Sequence, residues 1–373
     1  MDEAGVAIPG LCHIGFFCDG RENVLHLNTS GSAYDIGLQH GRSCPAAVGM
    51  AYEAWVQLEG VDPSWIEGGV RLVEDRLKRS FPEVLREMQG IADGSGVLYE
   101  HILTLNCLDA VLPAGKGWPR CSNIGFKDSD AGVLLGKTAD WEVAGSEHFA
   151  VWQRYRPEAD QGYAFIHYGC AGTLWSEGGL NEAGLGMVLN GLAGSGAGPD
   201  SVHWLCLTRG VLQYCRSVQD ALDFLGRYDV MYWGMNLTLA DVSGDMAFVE
   251  VVPGTRAVRR PEGDYLIHTN HCVCPETLER QPEKDVPSAF GVVGLRENSR
   301  ARYETLERIV PGAPRTVAGM QALLRDRSRP GPISQNGEAG MRTAYAMVVA
   351  PAQGKMWGVE GFPPDMSFVA YQI

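Results

Sequence analysis

Residues 121–141 read CSNIGFKDSDAGVLLGKTADW. Two strand-like runs, CSNIGF and VLLGKTADW, flank the turn-rich KDSDAG, the pattern of a β-hairpin. Upstream the character is different. A short alternating run at 24–28 (VLHLN) reads as a strand, and Tyr34 through Met50 reads as a helix running past Gly37 and Gly41. Asp62 then caps a helix with Pro63 in its first turn, and Ile66, Val70, Val73, Leu77 and Phe81 fall on one face at helical spacing. Pro82 opens another helix, with Val84, Leu85, Met88 and Ile91 inward and Gly94 at its end, and a short helix follows over about 99–109. A mainly helical leader of residues 1–120 therefore gives way to sheet at Cys121.

Downstream, strands are expected at 163–168, 184–190, 235–242 paired through Ser243-Gly244-Asp245 with 246–252, 265–270, 344–350 and the C-terminal FVAYQI. Helices are expected near 202–215, near 218–227 with Ser217 as cap, and near 300–309. Two antiparallel sheets packed face to face and flanked by helices accommodate this order, an α+β arrangement. No internal repeat is visible.

Composition narrows the function. Among 373 residues, Lys plus Arg number 31 against 45 Asp plus Glu, and the net charge of -14 repels a phosphate backbone, which argues against nucleic acid. The acidity is diffuse: residues 1–120 hold 16 acids and 9 bases, net -7, which leaves -7 for the rest. No apolar run reaches membrane-spanning length and the acidic N-terminus lacks a signal-peptide pattern, so a cytoplasmic protein without membrane attachment is expected. Ten cysteines in this length read as buried thiols in a reducing compartment.

Three motifs compete for the chemistry. Gly136-Lys137-Thr138 has its preceding glycine, Gly132, one residue too close for a P-loop, and Val133-Leu134-Leu135 is strand where a phosphate cradle needs loop. GLAGSGAGPD at 191–200 lies between a strand and a helix, but no acidic residue follows where a ribose would need one, so it reads as a flexible loop beside a pocket. His271, Cys272 and Cys274, like Cys12, His13 and Cys18, lack the regular paired spacing of zinc sites and read as ordinary thiols; no metal or cofactor is expected. Against all three stands Cys121 itself. If the Arg120-Cys121 bond is cut, the freed α-amino group titrates near 7.7 to 8.0, so the cysteine carries its own general base.

The hairpin 121–141 resembles the start of the mature chain in the acyl-coenzyme A:6-aminopenicillanic acid acyltransferase family, which is related to choloylglycine hydrolases. Gly136-Lys137-Thr138-Ala139-Asp140-Trp141 occupies the family's G-R-N-x-D-W-like motif, and Gly31 to Gly41 and Gly90 to Gly94 are similar to its pro-segment. Downstream the likeness takes in Asn181 to Leu185, Asn190, His268-Thr269-Asn270-His271 and Ser299 to Arg302.

The resemblance implies a four-layer αββα N-terminal-nucleophile (Ntn) hydrolase fold with a processed α-chain (1–120) and a catalytic β-chain (121–373), associated after cleavage as one structural unit. It implies Cys121 as nucleophile, Asp140 as the acid orienting the active-site amine or cysteine backbone, and Asn190 and Asn270 as amides at the reacting carbonyl, Asn270 favoured for the oxyanion. Arg302 braces the site, with Arg300 as the fallback. Lys137 and Trp175 are the substrate-binding candidates, and Trp204, Trp233 and Tyr232 are further aromatics for an apolar pocket. Taken singly, Asp140 also reads as a strand-end cap, the two asparagines as turn residues and Arg302 as part of a solvated helix face.

The implied activity is hydrolysis of a small amide, or transfer of its acyl group, or that of a thioester, through acyl-Cys121. Lys137 and Thr138 stand where the bile-salt branch has arginine and asparagine, so bile salts are not the expected substrate, and Arg120 stands where the penicillin branch has glycine. Two other readings are an uncleaved, non-catalytic ligand-binding protein of the same fold and a nucleotide-dependent enzyme using the 191–198 loop. A homo-oligomer is compatible with the sequence.

Overall fold

The computed structural model describes residues 25–56, 63–111, 120–142, 149–194, 196, 198, 200–285, 293–337 and 340–373. The leader supplies β1 (Leu25–Gly31) and six helices: α1 (Ala33–Ser43), α2 (Pro45–Val56), α3 (Pro63–Ser80), α4 (Pro82–Ser95), α5 (Tyr99–Asn106) and α6 (Leu108–Val111). The single helix expected over 34–50 is two. Its break falls at Cys44, because a residue before proline is disfavoured in the helical region. Helix α4 continues past Gly94 to Ser95, and the left-handed stop is Gly96, at φ 76°. On these helices Val70, Val73, Leu77, Phe81, Val84, Met88 and Ile91 are buried as the spacing predicts. Asp62 and the side chain of Ile66 lie outside the described residues.

The glycines of the leader have a packing reason. A Cβ on Gly37 would stand 2.0 Å from the Glu87 carbonyl oxygen, one on Gly90 2.2 Å from that of Tyr34, and one on Gly94 2.4 Å from that of Leu38. Helices α1 and α4 thus cross backbone against backbone, which only glycine permits.

Beyond Arg120 come β2 (Arg120–Phe126), β3 (Leu134–Glu142), β4 (Ala150–Pro157), β5 (Phe165–Cys170), β6 (Gly178–Asn181), β7 (Leu185–Leu192), α7 (Trp204–Tyr214), α8 (Val218–Gly226), β8 (Gly234–Asp241), β9 (Met246–Val252), β10 (Thr255–Arg259) and β11 (Tyr265–His268). Then follow α9 (Pro275–Leu278), α10 (Leu295–Ile309), α11 (Val317–Leu324), β12 (Met341–Ala350), β13 (Lys355–Glu360) and β14 (Val369–Gln372). The expected cap on α8 is present: the Ser217 side chain accepts from the Asp220 N–H.

One sheet has eight strands in the order β1-β4-β5-β6-β7-β8-β9-β10, and the other six, β11-β2-β3-β12-β13-β14. Three apolar cores separate four layers. One lies between the eight-stranded sheet and the leader helices with α7 and α8, one between the two sheets, and one between the six-stranded sheet and α10 with α11. This is the α+β, αββα arrangement expected of an Ntn hydrolase fold.

The leader is stitched into it at several points. Strand β1 pairs in parallel with β4, and Glu87 of α4 makes a buried ion pair with Arg209 of α7 at 2.8 Å. Among the described residues no helix is long and apolar enough to cross a membrane.

Candidate active site

The hairpin register decides which side chains can meet. Strands β2 and β3 pair Arg120 with Asp140, Cys121 with Ala139, Ser122 with Thr138 and Asn123 with Lys137. Opposed residues share a face and successive residues alternate. Cys121 and Lys137 therefore point between the two sheets, whereas Ser122 and Asp140 point towards α10. This corrects the role expected of Asp140: its carboxylate lies across the sheet from the thiol and makes no hydrogen bond to the Cys121 backbone.

Between the sheets, Lys137 is fully buried. Its ammonium donates to the Leu189 carbonyl oxygen, lies 3.4 Å from Glu177 Oε2 and stands within hydrogen-bond reach of the Cys121 thiol. Tyr345 donates to the same Glu177 Oε2 at 2.7 Å. Burial pushes the Cys121 thiol above its ordinary pKa, and Lys137 opposes that shift without cancelling it. Burial works against the Lys137 ammonium, but the sulfur and the Glu177 carboxylate outweigh it and hold the lysine above its usual value.

The thiol opens on a small cleft lined by Cys121, Glu177, Leu189, Gly191, Trp204, Trp233, Gly234 and Met235. Two substrate-binding expectations change here. Lys137 is committed to groups behind the thiol and does not line the cavity, and Trp175, 1% exposed, sits behind Trp204 with ring centroids 5.6 Å apart. Trp204 and Trp233 form the aromatic wall instead, and Gly191 brings the start of the glycine-rich loop to its rim.

On the other face Arg302 is the hub. It is completely buried, and its guanidinium donates to the Cys121 carbonyl oxygen at 2.5 Å, to Ser122 Oγ at 2.8 Å, to Asn270 Oδ1 at 2.8 Å and to Asn298 Oδ1 at 2.9 Å. Arg300, the fallback, is exposed. Asp140 lies 4.0 Å from Arg302 Nε and accepts from Thr343 Oγ1 at 2.5 Å and Gln335 Nε2 at 2.6 Å. Gln335 in turn accepts from Asn298, closing the ring. Burial raises the Asp140 pKa, and Arg302 and the two hydrogen bonds pull it back.

Asn270 links this face to the Cys121 main chain. Its Oδ1 accepts the Cys121 N–H at 2.7 Å, while its Nδ2 donates to the Gly191 carbonyl oxygen at 2.9 Å. The orientation follows from its partners: a guanidinium only donates and a carbonyl only accepts. In this state Asn270 turns its oxygen towards Cys121, and the donor expected at an oxyanion is spent on the backbone. Asn190 likewise gives Nδ2 to the Thr269 carbonyl oxygen at 3.1 Å, bracing the turn that carries Asn270.

That turn is fixed from below. Glu250 accepts from His268 Nε2 at 2.7 Å, from the Val273 N–H at 2.8 Å and from Thr277, so the HCVC segment folds around a buried carboxylate. Cys272 and Cys274 are buried thiols there, and all eight cysteines among the described residues are buried and outside any disulfide. Cys12, His13 and Cys18 lie outside the described residues. The Gly136-Lys137-Thr138 run lies within β3, in extended strand.

Sequence reasoning missed Glu177, Asn298, Gln335, Thr343 and Tyr345. Tyr345 and Thr343 flank a register shift in β12 that no local pattern announces, and Glu177 precedes a four-residue strand too short to alternate visibly.

The family model described as acyl-coenzyme A:6-aminopenicillanic acid acyl-transferase matches residues 127–364. Among solved structures, penicillin V acylase from Agrobacterium tumefaciens aligns with 13% identity over 64% of this chain and 83% of its own, TM-score 0.43. A mutant conjugated bile acid hydrolase from Clostridium perfringens aligns with 11% identity over 68% of this chain and 97% of its own, TM-score 0.42. An N-acylethanolamine-hydrolyzing acid amidase ortholog from Caenorhabditis elegans gives 13% identity, 62% and 93% coverage and TM-score 0.41. No curated protein matches the sequence.

Proposed function

Because the chain belongs to the acyl-coenzyme A:6-aminopenicillanic acid acyl-transferase family of acyl-transfer enzymes, we propose that it is a self-processing Ntn enzyme that cleaves Arg120-Cys121 and then works through acyl-Cys121. One observation carries this reading: the Cys121 thiol opens on an apolar cavity with Lys137 beside it, while its own peptide nitrogen is held by Asn270.

In the precursor the Cys121 sulfur attacks the Arg120 carbonyl carbon. The C–N bond breaks as the C–S bond forms, and the thiol proton ends on the departing nitrogen. Water then opens the thioester, leaving a carboxylate on Arg120 and a free amine on Cys121. That amine inherits the position of the present N–H, against Asn270 Oδ1, within its own residue's reach of the thiol.

In turnover the amine takes the thiol proton, with Lys137 stabilising the thiolate, and the sulfur attacks the substrate carbonyl. The leaving amine departs protonated, and water or a second amine resolves the acyl-enzyme. Arg302 fixes the Cys121 carbonyl, so the sulfur and the amine swing about a pinned main chain. Asp140 positions Arg302, and Asn190 positions Asn270. Lys137 is a catalytic group here rather than a substrate contact. Hydrolysis of a small amide is the favoured outcome, in the reducing cytoplasm that thiols outside any disulfide suit, with leader and β-chain remaining associated.

Intact mass and N-terminal sequencing of the purified protein test the first step. Chains of residues 1–120 and 121–373 are expected, and active protein consisting of one uncut chain would overturn the reading.

A further inference from the structure

The cavity wall carries a charge that acyl transfer does not itself require. Glu177 is the one charged side chain among the described residues lining the cavity, and 8% of its side chain is exposed. Its partners among the described residues, Lys137 and Tyr345, both meet Oε2, which leaves Oε1 for a ligand. The other walls are the indoles of Trp204 and Trp233, with Leu189 and Met235. A carboxylate set among indole rings is a host for an organic cation, which gains from the ion pair and from the ring faces together.

Local charge points the same way. A substrate ammonium beside Glu177 meets an opposite charge, whereas a substrate carboxylate there would meet a like one. The chain's net charge of -14 also gathers cations over anions. The small cleft beside the thiol takes only a short group of this kind.

Resting on the reading of Cys121 as nucleophile, we propose that the preferred acyl group is a short aminoacyl group, its ammonium held by Glu177 between Trp204 and Trp233. The class is an amide of a small amino acid with a free amine, of glycyl to β-alanyl length.

Three anilides of matched length test it with the processed enzyme: β-alanyl-4-nitroanilide, its uncharged isostere butyryl-4-nitroanilide, and succinyl-4-nitroanilide. The expected kcat/KM favours β-alanyl over butyryl by about tenfold or more, with succinyl slowest. Glu177→Gln should bring the β-alanyl to butyryl ratio down towards one. Trp233→Leu, which leaves the Lys137 pair intact, should narrow it by a smaller factor. Butyryl equal to or faster than β-alanyl, or a preference that survives both variants, overturns the inference and leaves the acyl-transfer reading standing. Turnover of none of the three by processed protein sinks both.

Discussion

The two faces of the β2-β3 ladder are both buried, yet they are built for different tasks. Around the thiol, the face between the sheets is sparse: one lysine, one glutamate and one tyrosine hydroxyl beside an open cleft, with Asn123 further along the strand donating to Val188 and Thr238. The face under α10 is dense, with Arg302, Asp140, Asn298, Gln335 and Thr343 spending their hydrogen bonds on one another and on the Cys121 main chain. A saturated network rigidifies, because every unmet partner in it is costly; a sparse set stays available to a ligand. The difference teaches that Cys121 is one residue with two environments, its side chain facing a cleft and its backbone immobilised.

The sharpest break between the faces is expected at Cys121. Cys121→Ala should remain an uncut 373-residue chain with no measurable turnover, and residual cleavage on a denaturing gel would remove the thiol from both reactions. Cys121→Ser, a poorer nucleophile at neutral pH, should cleave slowly.

On the dense face the effects should be large but graded. Asp140→Asn and Asn270→Ala should each lower kcat by ~10²-fold while the fold persists, since each disturbs the placement of the nucleophile and leaves the nucleophile itself in place. Circular dichroism establishes the fold, and near-native kcat in either variant would erase the distinction between the faces.

A smaller effect is expected in the pH dependence of thiol modification. Burial holds the Cys121 thiol above its ordinary value, so in an uncut variant its alkylation by iodoacetamide should be slow at neutral pH and rise through the alkaline range. Lys137→Met removes the cation that favours the thiolate and should move the midpoint further up. A midpoint that stays put or falls would uncouple Lys137 from the sulfur.

Smaller still, and far from either face, Gly90→Ala should cost about 1 to 3 kcal/mol of stability through overpacking of α1 on α4, read as a lower midpoint in urea. Cys272→Ala should leave both cleavage and turnover close to native.

Much of this was legible in the chain because strong local patterns carry it. The hairpin at 121–141, the strands with alternating apolar residues and the capped helix after Ser217 are readable without tertiary knowledge. The glycine motifs were visible too, although their reason, carbonyls passing within van der Waals distance of the opposite helix, lies 50 residues away in the chain. Strands β4, β6, β10 and β13 went unread, as β6 is short and glycine-rich and β4 and β13 are covered on both sides or lie beside an edge. For the site, residue types were legible and roles were not. The place of Asp140 depends on a register that puts it an odd number of residues from Cys121's cross-strand partner, and the amide orientation of Asn270 depends on Arg302 and Gly191, which reach it from two other elements.

The seam between the leader and the rest has a consequence for how the molecule can be made. Strand β1 is hydrogen-bonded along its length to β4, and Glu87 is locked to Arg209 in a buried pair. A cut after Arg120 severs the covalent path but leaves this seam whole. Under the proposed cleavage the mature form would be a history-dependent object: a single chain would reach the shape while its two parts are still tethered, and the tether would be cut afterwards. Precursor unfolded in urea should regain its shape on dilution, whereas cut protein taken apart in the same way would have to reassemble from two partners at a rate that falls with concentration. The proposed processing would thereby turn a reversible folding reaction into one the cell performs once.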